Sequence, residues 1–535
     1  MKLTNAIGLT LICAGIYSDT CMGQSVFFRT YGGLSNDLAR AVQQTSDGGF
    51  IVAGETYSFG EGSRDVFLFK TDTAGGQVWA KTYGGTSEDY AYALDQTANN
   101  GFIVGSHTAS FGQGGHDFHF LETDANGDTL LTKTYGGPAP DGIYSMQTNS
   151  DGAFILGGHT SSFGPGQHDF YLVKIDQFGD TLWTRSYGST QGDYLRSIEL
   201  LEADFTYYIA TGETAGFGVG GTDILAINVG GFSGDTIWAR TFGGSGSDYA
   251  NGIKGTIDGG LILAGNTTSS GAGGADILLV KLDFFGNLIW AKTYGGPGQE
   301  FGNAIETMPD GGFVIVGSTT SFGDGLKDVY MIRTDASGDT LWTSTYGSTG
   351  NDDALSVAQT TDGGIVLTGF TDGFGQQNQA LLIKTDGLGN TSCNASTTST
   401  IVGVANLSTT VPDLQMAHGT IVDNTATIQN LAASTSNSCP LVGIDKLAEV
   451  LIDVVVYPNP TSGNSQIRFT LKHESKVEIT VRNIHGQLVN SFSEGMKNIG
   501  KHSRELDMNG LAQGIYYLSL RTDGAERTVK LMITE

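Results

Sequence analysis

Positive charge is scarce in this 535-residue chain: 28 Lys and Arg stand against 55 Asp and Glu, a formal net charge of -27. Residues 451–535 hold 10 and 9 of these, so the first 450 residues hold the remaining 18 and 46. A surface this acidic disfavours nucleic acid and anionic lipid as partners. Proline is scarce too, at 9, and the 80 glycines follow no three-residue period, which excludes a collagenous chain. Only four cysteines occur, and none forms a paired zinc signature. Apart from Ala6–Tyr17 no apolar run stands out, and that one is too short to cross a bilayer. Gly-x-Ser-x-Gly, His-Glu-x-x-His and phosphate-loop motifs are all missing.

The one apolar stretch follows Lys2 and precedes Cys21-Met22-Gly23, the layout of a secretory signal. Cleavage is expected before Gln24, so residues 1–23 form the signal. Neither Cys13 nor Cys21 sits in a lipoprotein context. Cys393 and Cys439 then remain in an exported chain, where a disulfide is expected; two buried thiols are the alternative.

What the chain has in quantity is one phrase. TYGG, TFGG, SYGS or TYGS places an aromatic at Tyr31, Tyr83, Tyr135, Tyr187, Phe242, Tyr294 and Tyr346. The spacing is regular, with a three-residue excess before Phe242. Each unit holds four strand-like runs; in the first they are Leu38–Thr45, Gly49–Thr56, Asp65–Asp72 and Gln77–Gly84. The runs are short, β-branched and aromatic, and bounded by Gly, Asp and Asn. Asp47-Gly48 joins the first two and recurs as Asn100-Gly101, Asp151-Gly152, Asp258-Gly259, Asp310-Gly311 and Asp362-Gly363, predicting two-residue hairpins. Turns of the form Asp-x-x-Gly join the third and fourth runs. Seven four-stranded units predict an all-β, seven-bladed β-propeller over residues 24–390. The seventh unit lacks its fourth strand, and the mature N-terminus SVFFRTYGG is a fourth strand without a unit. Ser25–Thr30 is therefore expected to complete blade seven and close the ring.

Beyond Asn390 the composition shifts. Residues 391–447 are rich in Ser, Thr and Asn and read as a linker or a small disulfide-clipped segment. From Ile452 a second β unit begins. Tyr457-Pro458-Asn459-Pro460, then Gly463, Asn483–Gly486, Leu511–Leu518 with Gly514 and Tyr516, and Lys530-Leu531-Met532 follow in order. This ordered set resembles the type A C-terminal sorting domain of the bacterial type IX secretion system, covering residues 448–535. The resemblance implies an immunoglobulin-like β-sandwich, export across the outer membrane of a Bacteroidota-type bacterium, and the type IX machinery as a partner. The propeller more loosely resembles repeats of surface proteins from such bacteria. Asp-Thr-apolar triplets at Asp72, Asp128, Asp180, Asp235 and Asp339 match a short O-glycosylation signal of the same group.

Six positions after each repeat aromatic stands an acid: Asp37, Asp89, Asp141, Asp193, Asp248, Glu300 and Asp352. They are expected to ring one mouth of the channel. Bracing of the loop by a carboxylate that accepts main-chain N–H groups is the expected role; calcium or another cation is the alternative, since hard cations take several oxygens. Asp65, Asp117, Asp169, Asp223, Asp276 and Asp328 open the third strands on the same face, with Gln379 in the seventh copy. His107, His116, His159 and His168 surround two near-identical loops, so duplication explains them, with zinc as the alternative. Trp79, Trp183, Trp238, Trp290 and Trp342 read as sheet packing, in runs that resemble the docking tryptophans of quinoprotein propellers.

The expectation is a secreted or surface, non-enzymatic propeller that binds a glycan or protein and requires no cofactor. One alternative is a polysaccharide hydrolase or lyase whose site lies in non-repeated loops, around Glu202–Tyr208 and Val229–Gly234. Another is a structural surface-layer or gliding-associated component.

Overall fold

The computed structural model describes residues 25–534, apart from 203–205, 375–376, 393–394, 406, 413–414, 418–420, 423–426, 432–433 and 438–450. Short breaks also fall at 458, 460, 462, 472–473, 484–487, 509–510 and 523–525. The expected signal, Cys393, Cys439, Pro458 and Pro460 lie outside the described residues. Two compact units divide the chain, 1–438 and 439–535.

In the first unit the described residues form seven five-stranded antiparallel sheets. The first sheet is ordered Asp37–Gln44, Phe50–Thr56, Asp65–Thr71, Gln77–Gly84, each strand beside the next in sequence. The other repeats copy it. Alternation sets the burial: in Asp37–Gln44 one face is buried and the other only half so, while Phe50–Thr56 is buried throughout, as a strand covered on both faces must be. Phe27–Gly32 pairs with Gln379–Thr385 in the sheet of the seventh repeat, in the place of its missing fourth strand. The inner strand of each repeat packs on the next, and Asp352–Gln359 of the seventh packs on Asp37–Gln44 of the first. Apolar cores lie between consecutive sheets; Phe170, Leu172 and Tyr187 of the third pack with Leu195, Leu225 and Ile227 of the fourth.

The repeated phrase is the joint between sheets. Tyr83 is fully buried and its hydroxyl donates to Gly127 O at 2.5 Å, the turn of the next repeat. Tyr31, Tyr135, Tyr187, Tyr294 and Tyr346 donate likewise to Gly75, Gly179, Gly234, Gly338 and Gly389. The tryptophan rests on the same turn. A methyl group on Gly127 (φ +77) would lie 3.0 Å from Trp79, so this position needs glycine for space as well as for its left-handed backbone.

One turn expectation changes. Asp47-Gly48 does not form a two-residue hairpin. Gly48 N–H donates to Thr45 O at 2.8 Å, and only Gly48 takes a positive φ, +83. Asp47 instead accepts Gly49 N–H at 3.2 Å. In the second repeat Asn100 holds the left-handed position at φ 61, so Asn100-Gly101 matches Gly48-Gly49. Asparagine tolerates that conformation through its short polar side chain.

The Ser/Thr-rich segment, expected as a linker or a small disulfide-clipped segment, runs along the outer edges of the sheets. Ala395–Thr397 pairs with the outer strand of the sixth repeat, Ile401–Val404 with the fifth, Ser408–Thr410 with the fourth and Gln415–Ala417 with the third. Ile421–Val422, Thr427–Leu431 and Ser434–Asn437 follow on the second, first and seventh. The chain thus passes every sheet in reverse order and pairs seven edges that would otherwise expose unpaired main chain.

The C-terminal unit holds a three-stranded sheet (Leu451–Tyr457, Ser465–Leu471, Gly500–Leu506) and a four-stranded sheet (Ser475–Asn483, Leu488–Lys497, Gly514–Arg521, Glu526–Ile533). Ile467, Phe469, Val477, Ile479, Leu518 and Leu531 share its core. Asn459 ties the motif to the last strand. Its Nδ2 donates to Lys530 O at 2.6 Å and its Oδ1 accepts Met532 N–H at 2.9 Å. Buried Tyr516 donates to Ala512 O at 2.8 Å, while the Lys530 side chain is exposed.

Candidate functional site

The first acidic set faces its own loops. Asp89 Oδ2 accepts Gly85 N–H at 2.9 Å and Ser110 Oγ–H at 2.6 Å. Asp37 accepts Gly33 N–H at 2.7 Å, Ser58 Oγ–H at 2.7 Å and the Thr56 hydroxyl. Asp141, Asp193, Asp248, Glu300 and Asp352 take equivalent main-chain N–H groups at 2.6–2.8 Å. All seven are buried. The second set lies across the joint glycines from them. Burial pushes Asp65 up to about 6 and Asp117 and Asp169 up to about 7. Among the described residues no three His, Cys, Asp or Glu side chains group as metal ligands.

A different ring departs from the repeat. Three residues after each acid the inner strand carries a β-bulge, and the skipped residues are Arg40, Tyr92, Tyr144, Arg196, Asn251, Asn303 and Leu355. A bulge residue is freed from the ladder and its side chain is re-aimed. These seven line one cavity of about 250 Å³.

The ring is chemically lopsided. On one side the Arg40 guanidinium lies 4.5 Å from the Tyr92 ring centre, and that of Arg196 4.7 Å from Tyr144. Tyr92 and Tyr144 meet edge to face at 4.7 Å. Both arginines are neutralised: Arg40 donates twice to Glu55 at 3.1 Å, and Arg196 to Glu213 at 3.1 and 2.6 Å. The expected histidines interleave with this arc. His107 lies 4.9 Å from Tyr92 and His159 5.5 Å from Tyr144, ring to ring. Burial holds His107 well below the usual imidazole range and His159 down at about 3, so both are neutral at physiological pH. On the other side Asn251 donates to Gly302 O at 2.9 Å and Asn303 to Asp353 Oδ1 at 2.9 Å. The arc is thus aromatic, rich in fixed hydrogen-bonding groups and without net charge. It suits stacking on a flat polar ligand.

Sequence reasoning passed over this ring. Its signal is there: Arg, Tyr, Tyr, Arg, Asn, Asn and Leu stand three residues after the repeated acid, between small or apolar residues. Of the triplet threonines, Thr129, Thr181 and Thr340 have buried hydroxyl oxygens, while Thr73 is exposed. No described helix is long and apolar enough to cross a membrane.

Residues 455–534 match the secretion system C-terminal sorting domain family. The chain is 24% identical over 193 residues to the regulatory protein FlaEY of Caulobacter vibrioides, covering 32% of this chain and 19% of that protein. A solved structure of PorZ, described as an essential bacterial surface component of the type-IX secretion system of Porphyromonas gingivalis, overlays with a TM-score of 0.35 at 12% identity. That overlay covers 92% of this chain and 58% of PorZ, so the chain spans less than two thirds of either relative. The chain carries a type IX sorting tail, and it is a protein secreted or held at the outer cell surface.

Proposed function

We propose that the seven sheets are the blades of a closed β-propeller, and that this propeller is a non-enzymatic binding module delivered to the cell exterior by an immunoglobulin-like sorting domain. Packing of the seventh inner strand on the first, and completion of the seventh sheet by Phe27–Gly32, support the ring. The observation that carries the binding reading is the bulge position. Seven equivalent strands release one side chain each into a common cavity, where Arg40, Tyr92, Tyr144 and Arg196 meet Asn251, Asn303 and Leu355. Both carboxylates of the arc, Glu55 and Glu213, are taken by arginine, which favours binding over hydrolysis. Loss of one stacking ring removes about 1–2 kcal/mol, or roughly fivefold to thirtyfold in affinity.

The test is glycan-array and pull-down capture by the mature protein, with Tyr92→Ala and Tyr144→Ala as variants. Capture weaker by roughly fivefold or more is expected for both. Capture at wild-type strength by folded variants would sink the assignment.

A further inference from the structure

A second departure from the repeat lies on its hairpin side, where the second and fourth repeats carry Glu122 and Asn228 at the position of a third-strand cation. In the first, fifth, sixth and seventh repeats a third-strand cation closes on the Asp of its own hairpin: Lys70 on Asp47, Lys281 on Asp258 at 3.0 Å, Arg333 on Asp310 at 2.5 Å and Lys384 on Asp362 at 3.1 Å. The third repeat carries the same two residues, Lys174 and Asp151. There the ammonium turns to Gly231 O of the fourth repeat, at 2.9 Å. Asp151 keeps only its turn contact, accepting Ala153 N–H at 3.0 Å. The turn that receives the ammonium differs from the others. One of the three extra residues of the fourth repeat falls here and lengthens the turn, in which Gly230 N–H donates to Asp235 O and Gly234 N–H to Gly230 O.

The opened pair leaves a cavity of about 450 Å³, lined by Asp151, Lys174, Thr206, Tyr207, Gly231 and Phe232. Phe232 stands at its lip and is 96% exposed. Tyr207 is fixed edge to face against Phe284, with ring centres 5.5 Å apart. Behind the cavity, Trp183 is almost buried and donates its indole N–H to Gly231 O at 3.2 Å. The volume is in the range of small-molecule sites.

We propose that this cleft binds a neutral saccharide unit of a glycan chain, at a second site independent of the channel mouth. A carboxylate and an ammonium held apart in one cleft call for a partner that both donates and accepts without net charge. Vicinal hydroxyls do so: one donates to Asp151, and its neighbour accepts from Lys174, whose amino group keeps donors beyond the one spent on Gly231. The apolar face of the sugar ring lies on Phe232. The open lip lets the chain continue into solvent. An acidic sugar gains at Lys174 and loses at Asp151, so the neutral unit is preferred.

The test titrates the full-length mature protein with neutral gluco-, manno- and galacto-oligosaccharides by calorimetry, following tryptophan emission in parallel. Binding with an emission shift that Trp183→Phe removes is expected. Phe232→Ala and Asp151→Asn should each weaken binding at least tenfold, while Asp47→Asn, in an intact pair, leaves it unchanged. Phe232 is exposed, so its variant keeps the fold. Absence of binding across the three series overturns the proposal, as does binding indifferent to Phe232→Ala. Binding of free glycine or lysine in place of the sugars overturns it as well, by showing a zwitterion site. Loss with Tyr92→Ala alone would place the saccharide at the channel mouth, which refutes this cleft while supporting the other site.

Discussion

Replacing Asp117 by asparagine should stabilise the protein at pH 8 and leave its stability almost unchanged at pH 4. Asp117 is 1% exposed, its Oδ2 accepts Gln113 N–H at 2.8 Å, and its Oδ1 has no hydrogen-bond partner. A methyl group on Gly136 would touch both this oxygen, at 1.8 Å, and Asp141 Oδ2, at 2.8 Å, so two carboxylates share one glycine. Burial first, and the Asp141 charge second, push Asp117 up to about 7. The unfolded value is about 3.9, so the folded state binds the extra proton between roughly pH 4 and 7. Stability from this group is therefore complete below about pH 4 and is lost as pH rises through 7. At pH 8 the full shift amounts to at most about 4 kcal/mol, and partial solvation of the loop reduces it to about 2 kcal/mol. The seventh joint already uses the neutral solution. Gln379 stands in place of the aspartate and donates to Gly33 O and Asn378 O, both at 3.2 Å. The amide introduced by Asp117→Asn would find the same kind of carbonyl. Urea unfolding at pH 4, 6 and 8 measures the effect: the variant should gain about 2 kcal/mol at pH 8 and show a flatter pH profile. Asp141→Asn is the contrast, since Asp141 accepts Gly137 N–H at 2.7 Å and Ser162 Oγ–H at 2.8 Å, and should lose about 1–3 kcal/mol. A variant at 117 that is less stable at pH 8, or a wild-type slope left intact, refutes the shared-glycine reasoning.

Two further outcomes test the scaffold. Tyr83→Phe removes the hydroxyl that donates to Gly127 and should cost about 1 kcal/mol, whereas Phe242→Tyr adds a donor at the one joint without it and should gain up to about 1 kcal/mol; calorimetric Tm shifts of opposite sign check the pair. Ending the chain at Asn390 strips the outer strands from all seven sheets and should cause self-association through the bared edges. A strictly monomeric species in sedimentation velocity would show that the perimeter segment is dispensable.

The repeat was legible because its signals are local. Strand periodicity, Asp-x-x-Gly turns and the joint aromatic are each fixed by residue type, and the unpaired SVFFRTYGG gave away the completed seventh sheet. The perimeter strands were not legible for the opposite reason. They pair main chain to main chain in pieces of two to five residues, and such pairing asks almost nothing of the side chains. A run of Ser, Thr and Asn satisfies it as well as a run of valine. The hairpin expectation missed by one residue because Asp47 braces the turn from outside its left-handed position, and the dipeptide alone does not say which residue carries the positive φ.

The two candidate sites share a physical logic in where they depart from the repeat. A repeated strand is bound by its neighbours: most side chains must pack on the next sheet, and a change there costs the core of two repeats. The bulge residue escapes this, since it is skipped by the ladder and faces the cavity, so Arg, Tyr, Asn or Leu fits at little cost to the sheet. At the third repeat the escape is an ion pair. Opening Lys174 from Asp151 forfeits only the small worth of a half-exposed pair, about 1 kcal/mol or less, because Gly231 O takes over one donor. Function can therefore settle where the scaffold holds least tightly. The buried acids that first draw attention are the costly positions, and their sevenfold sameness follows from that cost.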